Sequence, residues 1–170
     1  NRASLGIQDT NPDVQKAINR IQPFEKDIEA VKLLRGCGIK SVNIDLIYGL
    51  PLQTPQTFAQ TLKNALELNP DRIALFGYAH VPWVKPAQKS LEQWAIPTSD
   101  EKACLFLEGK SAFENAGYEF IGLDHFAKPD DKLIEARRNG TLHRNFQGYS
   151  THAGIDLFAV GLTSISETKT

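Results

Sequence analysis

The chain has 170 residues, 41% hydrophobic and 23% charged, with a formal net charge of −1. That composition is ordinary for a globular protein of one domain or a large part of one. It offers no basic surface for nucleic acid or for an anionic membrane.

No apolar run approaches the ~20 residues of a membrane-spanning helix, and the start does not read as a signal peptide. Cys37 and Cys104 are far apart and form no metal-binding spacing, so a reduced, cytoplasmic setting is expected. "NRASLGIQ" is strand-like from the first residue, and no methionine occurs anywhere. The chain therefore reads as an internal piece of a longer protein.

Arg2 to Gln8 alternates, with Ala3, Leu5 and Ile7 on one face and Arg2, Ser4, Gly6 and Gln8 on the other. Period two predicts a strand. In "NPDVQKAINRIQ", Asn11 caps a helix and Pro12 suits its first position. Val14, Ile18 and Ile21 are expected to share its buried stripe. A second helix runs from about Phe24 to Arg35, with Ile28, Val31 and Leu34 inward. "SVNIDLIYGLPLQT" follows as a strand, and Thr54–Pro55 restart a helix that buries Phe58, Leu62 and Leu66. "DRIALFGYAHVP" is a third strand. Strands joined through helices by short connections predict parallel pairing and an α/β fold, open sheet or barrel.

After about residue 82 the pattern changes. Pro82, Pro86 and Pro97 bound an irregular stretch with a short helix. Ser99 is expected to cap a long helix ending near Gly117. "YEFIGLDHFA" reads as a strand and "PDDKLIEARRNG" as a short helix. "TLHRNFQGYSTHAGIDLFAVGLTSIS" is glycine-rich and gives no clear element.

The second strand poses the chemical question. Val42, Ile44, Leu46 and Tyr48 share one face; Asn43, Asp45, Ile47 and Gly49 share the other. A merely packed barrel core would favour Val, Ile and Leu on its inner face. A carboxylate there needs donors, because an unpaired buried charge is costly. Either a ligand supplies them, or Asp45 pairs internally with Arg2 or Arg20. His80, at the end of the third strand, lies where α/β sites form, although such a histidine is commonly structural. Asp124 and His125 are adjacent and so would face opposite ways on a strand. His143, Arg144, Asn145 and Tyr149 share a loop in which Arg144 could grip a carboxylate. The alternative is a solvated loop with one buried aromatic. No GK[ST] follows the glycines, which excludes a P-loop.

"NRASLGIQD", "INRIQ", "NIDLIYGLPLQT", "NPDRIALFGYAHVPW", "GYEFIGLDHFAKPDDKL" and "LHRNFQGYST" resemble the oxygen-independent coproporphyrinogen III oxidases, from residue 1 to about residue 166. These are radical S-adenosylmethionine (SAM) enzymes of haem biosynthesis. The resemblance implies part of a parallel partial (β/α) barrel: strand–helix units over residues 1–82, and an extension over 83–170 carrying the DHF and RNFQGY segments. It implies oxidative decarboxylation of two propionates of coproporphyrinogen III to vinyl groups, through a 5′-deoxyadenosyl radical. It implies two SAM molecules, and a [4Fe-4S] cluster held by a CxxxCxxC loop. Carried over residue by residue, Gln8, Arg20, Asp45 and Ala79 fall on contacts to the second SAM, and Ile165 on a contact to the cluster-bound one. Small Ala79 is read on one strand face with Ile73, Leu75 and Gly77.

His125, His143 and Arg144 are candidates for holding the substrate's propionates. An electron donor and an acceptor are implied, and the protein is expected to be a monomer. The cysteine loop does not occur in this sequence, so the cluster ligands are expected outside it and the chain alone is expected to be inactive. A haem chaperone sharing the barrel is the competing reading; "RNFQGY" separates the two. A non-catalytic α/β interaction domain is the third.

Overall fold

The computed structural model describes residues 2–145, 148–151, 154, 156–162 and 164–168. Three strands, Arg2–Gln8 (β1), Ser41–Tyr48 (β2) and Arg72–Gly77 (β3), lie side by side and parallel. Their crossovers are helical: Pro12–Ala17 (α1) and Phe24–Gly36 (α2) join β1 to β2, and Pro55–Glu67 (α3) joins β2 to β3. The sheet is then extended by a hairpin, Glu119–Gly122 (β4) and His125–Ala127 (β5). β5 pairs antiparallel with β3, giving the order β1-β2-β3-β5-β4. The single strand expected over "YEFIGLDHFA" is therefore two, with Leu123 at positive φ in the turn.

The remaining elements are a 3-10 helix at Pro86–Gln93, the helix Ser99–Asn115 (α4), the helix Lys132–Arg138 (α5), and a second hairpin, His143–Asn145 (β6) and Gly148–Ser150 (β7). This hairpin gives structure to part of the stretch that had no assignment. Phe146 and Gln147 of "RNFQGY" lie outside the described residues.

Local chemistry sets the helix starts. The Asn11 side chain accepts the N–H groups of Asp13 and Val14, with Pro12 in the first turn. Thr54 and Thr57 satisfy each other's backbone in a capping box at α3. At α4 the same box is formed by Thr98 and Glu101, so the cap is Thr98 and Ser99 is already helical. A capping box needs its acceptor three residues back from Glu101, and only Thr98 fits that spacing. The stripe predicted for α1 also needs correction. The helix stops at Ala17 because Asn19 takes positive φ and Arg20 N–H turns back to the Gln15 carbonyl at 2.8 Å. Ile21, beyond that turn, is 75% exposed.

The core lies on one side of the sheet. Val42, Ile44 and Leu46 of β2 and Ile73 and Leu75 of β3 pack with Phe58 and Leu62 of α3 and Leu105 and Phe113 of α4. All are buried, each contributing about 1.5–3 kcal/mol of transfer free energy. Phe113 meets the ring of Phe126 edge-on at 5.1 Å and ties the added hairpin to this core.

Candidate functional site

The other side of the parallel strands is open. Register places Gly6, Asp45 and Ala74 opposite one another on β1, β2 and β3, with His125 of β5 next in the row. Asp45 thus stands between two residues with almost no side chain. A cleft of about 390 Å³ opens over it, lined by Arg2, Ser4, Asn43, Asp45, Arg72, Ala74, Phe76, His125 and Tyr149, among others.

Asp45 is held by neutral donors. Asn43 Nδ2 donates to Asp45 Oδ1 at 2.7 Å and to Ser4 Oγ at 2.8 Å; Ser4 Oγ donates to Asp45 Oδ2 at 3.3 Å. The internal ion pair weighed for Asp45 is therefore not formed with Arg2 or Arg20. Arg72 is engaged elsewhere: its Nε and Nη2 grip the two oxygens of Asp131 at 2.8 Å each. Asp131 also caps α5 by accepting the Leu133 N–H at 2.7 Å. Burial, and then repulsion from Arg72, pull the Arg2 guanidinium below its ordinary value.

His125 sits edge-on to two rings, Phe76 at 5.9 Å and Tyr149 at 5.3 Å. Burial pulls its pKa down; Asp124 and Asp45 oppose this without cancelling it. Its Nδ1 is buried with no hydrogen-bond partner among the described residues. An imidazole in this state favours the uncharged form, which weakens its candidacy as a cation for a propionate. Tyr149 reaches the cleft by lying over Gly122, where a β-carbon would stand 2.5 Å from the tyrosine hydroxyl.

At the far end of β1, Gln8 takes positive φ and the register slips, so that Gly6 faces Asp45 but Gln8 faces Leu46. The Gln8 side chain folds back over Gly6, leaving no space for a β-carbon there. Arg20 Nη2 donates to the Gly6 carbonyl at 2.6 Å and to Gln22 Oε1 at 3.3 Å. Gln22 in turn donates to Asp27, a buried acid whose pKa is raised by desolvation.

A separate network joins the loops after β1 and β2. Asp9, fully buried, accepts from Asn11 N–H at 2.6 Å, Gln53 Nε2 at 2.6 Å and Thr61 Oγ1 at 2.9 Å. Gln53 also donates to the Ile47 carbonyl and accepts from Leu50 N–H.

Of the residues singled out from the sequence, Asp45 and His125 share the cleft, and Gln8 and Arg20 meet at the neighbouring Gly6. The others lie elsewhere. Ala79 is exposed and beyond β3, which ends at Gly77. Ile73 and Leu75 face the core, opposite Asp45, so the strand-face placement expected for Ala79 does not hold. His143 and Arg144 lie on β6 outside the cleft lining; Arg144 is exposed, directly across from Tyr149. Ile165 is 46% exposed. Phe76 was not anticipated, and Tyr149, named only as a loop companion of Arg144, was not expected beside Asp45 and His125. Phe76 was accessible from period-two alternation through Arg72 and Ala74, whereas Tyr149 arrives from a distant hairpin.

Among the described residues, no group of three or more His, Cys, Asp or Glu could hold a metal, and Cys37 and Cys104 are both free and exposed. These residues do not fit an iron–sulfur cluster. The cleft does fit a polar organic ligand with hydroxyl or ammonium donors. No described helix is long and apolar enough to cross a membrane.

Residues 1–65 match the radical SAM superfamily. Over 98% of its length the chain is 51% identical to the oxygen-independent coproporphyrinogen III oxidase of Synechocystis sp. and 48% identical to that of Escherichia coli. The solved structure of coproporphyrinogen III oxidase (HemN) from Escherichia coli, described as a radical SAM enzyme, matches 98% of the chain with a TM-score of 0.94 at 48% identity. By sequence and by fold, this chain is similar to part of the oxygen-independent coproporphyrinogen III oxidases. It spans 36% of the length of the Synechocystis and Escherichia coli enzymes and 38% of the HemN chain. The expected α/β arrangement of radical SAM type, with parallel strands and a later extension, holds against the coproporphyrinogen oxidase structure.

Proposed function

We propose that the whole protein to which this chain contributes carries out oxygen-independent oxidative decarboxylation of coproporphyrinogen III to protoporphyrinogen IX. Each of two propionate side chains loses a hydrogen atom, an electron and CO2, and keeps a vinyl group. SAM, reduced through a [4Fe-4S] cluster whose ligands lie outside this chain, supplies the hydrogen-abstracting chemistry when bound. The observation that carries the reading is Asp45. It is an acid that forms no ion pair among the described residues, standing in an open cleft of a chain that matches a coproporphyrinogen oxidase along nearly its whole length.

The work of this chain's residues is binding and orientation. Asp45, fixed by Asn43 and Ser4, is an acceptor for hydroxyl or ammonium groups of a second SAM. Gln8, Arg20 and the backbone at Ala79 complete that contact set, and Ile165 belongs to the first SAM. Arg144 and His143 approach substrate carboxylates from the β6 side, while His125 contributes an uncharged hydrogen bond. The electron donor and acceptor are separate partners, and the protein works as a cytoplasmic monomer.

The test uses the whole protein under anaerobic conditions with its cluster reconstituted. Conversion of coproporphyrinogen III with loss of two CO2, and binding of two SAM per chain falling to one in Asp45→Asn, is the expected result. Haem binding without porphyrinogen turnover would overturn it in favour of a haem chaperone.

A further inference from the structure

Arg2 is a charged residue of the cleft that the binding roles above do not use. It begins β1 and lines the cleft together with Ser4, Asn43, Asp45 and Arg72. The side chain keeps exposed surface, so a molecule bound in the cleft can reach it. Among the described residues its guanidinium forms no ion pair.

Two acids stand on this side of the sheet, and neither neutralises Arg2. Asp131 gives both carboxylate oxygens to Arg72, and one of them also accepts the Leu133 N–H. Asp45 lies four residues beyond Ser41, the β2 partner of Arg2, which is about 13 Å along a strand at ~3.3 Å per residue. Arg72 adds a second cation of like sign. Burial is the first cause that lowers the Arg2 pKa and repulsion from Arg72 the second; attraction from Asp131 opposes them without cancelling them. The N-terminal end of the cleft therefore holds two guanidiniums against one carboxylate.

The opposite charge stands further along the same face. Asp45 is held by the neutral groups of Asn43 and Ser4, in a row with Gly6 and Ala74. The strand surface between the two charges carries Ser4 and Asn43, and their polar groups are turned to Asp45 and to each other. A molecule lying along this surface meets an acceptor of hydroxyl or ammonium donors at one end. At the other it meets a planar fork of N–H donors, whose matching partner is a carboxylate held by two parallel hydrogen bonds. An anion seated there also supplies the counter-charge that the Arg2–Arg72 end lacks.

We propose that Arg2 is a carboxylate-binding subsite of the cleft, holding an ionised carboxylate of a ligand bound over Asp45. The inference deepens the function proposed above and rests on it, because that reading supplies two bearers of the group: the amino-acid end of the second SAM and a propionate of the porphyrinogen. Carboxylates of both kinds are ionised at neutral pH, so the contact moves no proton. Its work is to fix which end of the ligand lies toward the start of the strands.

The test again uses the reconstituted whole protein, and it reads binding rather than turnover. SAM is compared with its decarboxylated analogue, which keeps the ammonium and sulfonium groups, on the equivalent of SAM that Asp45→Asn removes. Coproporphyrin III, the oxidised form of the substrate, is compared with its tetraamide, in which the carboxylates are neutral. In wild type, loss of the carboxylate that Arg2 holds should weaken binding roughly ten- to hundredfold. In Arg2→Gln that penalty should shrink to about threefold or less, because the partner is already gone. Arg2→Lys, which keeps the charge but not the fork, should fall between. A merely structural Arg2 would lower the melting temperature and leave the ratio between paired ligands unmoved. A penalty lost in the SAM arm places the amino-acid carboxylate at Arg2; one lost in the porphyrin arm places a propionate there. Equal penalties in wild type and Arg2→Gln in both arms would overturn the subsite and leave the proposed function standing. A wild type that takes up neither a second SAM nor coproporphyrin III would overturn both.

Discussion

Val42, Ile44 and Leu46 are fully buried against α3 and α4, while Asn43 and Asp45, alternating with them on β2, stand half-exposed over the cleft. The same contrast runs through β3, where Ile73 and Leu75 face the helices and Arg72 and Phe76 line the cleft. One face excludes water and holds the sheet to its helices. The other carries groups that pair through neutral hydrogen bonds and leave space. Substitutions on the two faces should therefore separate into losses of stability and losses of binding.

The largest effect is expected on the helix face. Phe58 has no exposed surface, and Phe58→Ala should cost about 3–5 kcal/mol in urea unfolding of the whole protein. A cost below about 1 kcal/mol would remove α3 from the core.

Asp131→Ala sharpens the contrast by testing its exception. Asp131 serves the cleft face, yet it grips Arg72 with both oxygens and caps α5. Removing it leaves a largely buried guanidinium unpaired, at about 3 kcal/mol or more. If stability is unchanged, the cleft face contributes nothing to the fold and the separation is complete.

Asp45→Asn is the reverse case. An amide can still accept from Asn43, and the serine hydroxyl can turn to accept from the new amide. The expected loss of stability is about 1 kcal/mol or less, with a clear loss of SAM affinity by equilibrium dialysis. Marked unfolding with intact affinity would break the division between faces.

The smallest effect is a pH dependence. The folded-state pKa of His125 is lowered from 6.5 by burial. Between the lowered value and 6.5 the unfolded chain binds a proton that the folded chain does not, so stability falls as pH drops through that window. His125→Gln removes this component. Wild type should lose more melting temperature than the variant between about pH 7 and pH 5; parallel curves would mean that His125 titrates alike in both states.

Much of this was legible locally. Period-two alternation in "SVNIDLIY" assigned the two faces of β2 correctly, and Thr54–Pro55 marked the start of α3, because both signals depend only on neighbouring residues. Asp45 stood out because a carboxylate breaks an apolar strand. What was not legible is what depends on distant pairing. His125 enters the row of Asp45 only because β5 docks antiparallel on β3, and Tyr149 reaches it across Gly122. Ala79 was misplaced because alternation carried past Gly77, where the strand ends. Ile21 was misread because a single left-handed Asn19 stopped α1.

Gln53 has every side-chain hydrogen-bonding direction but one in use, on Asp9, the Ile47 carbonyl and the Leu50 N–H. Asp9 has no ion-pair partner among the described residues, and desolvation raises its pKa. The loops after β1 and β2 therefore cannot fray one at a time. Releasing Gln53 strips a buried acid of its amide donor and frees a backbone N–H at once, each at about 1–3 kcal/mol. These loops should open only as a joint cooperative unit, with a free energy nearer to that of the strands than to that of ordinary surface loops.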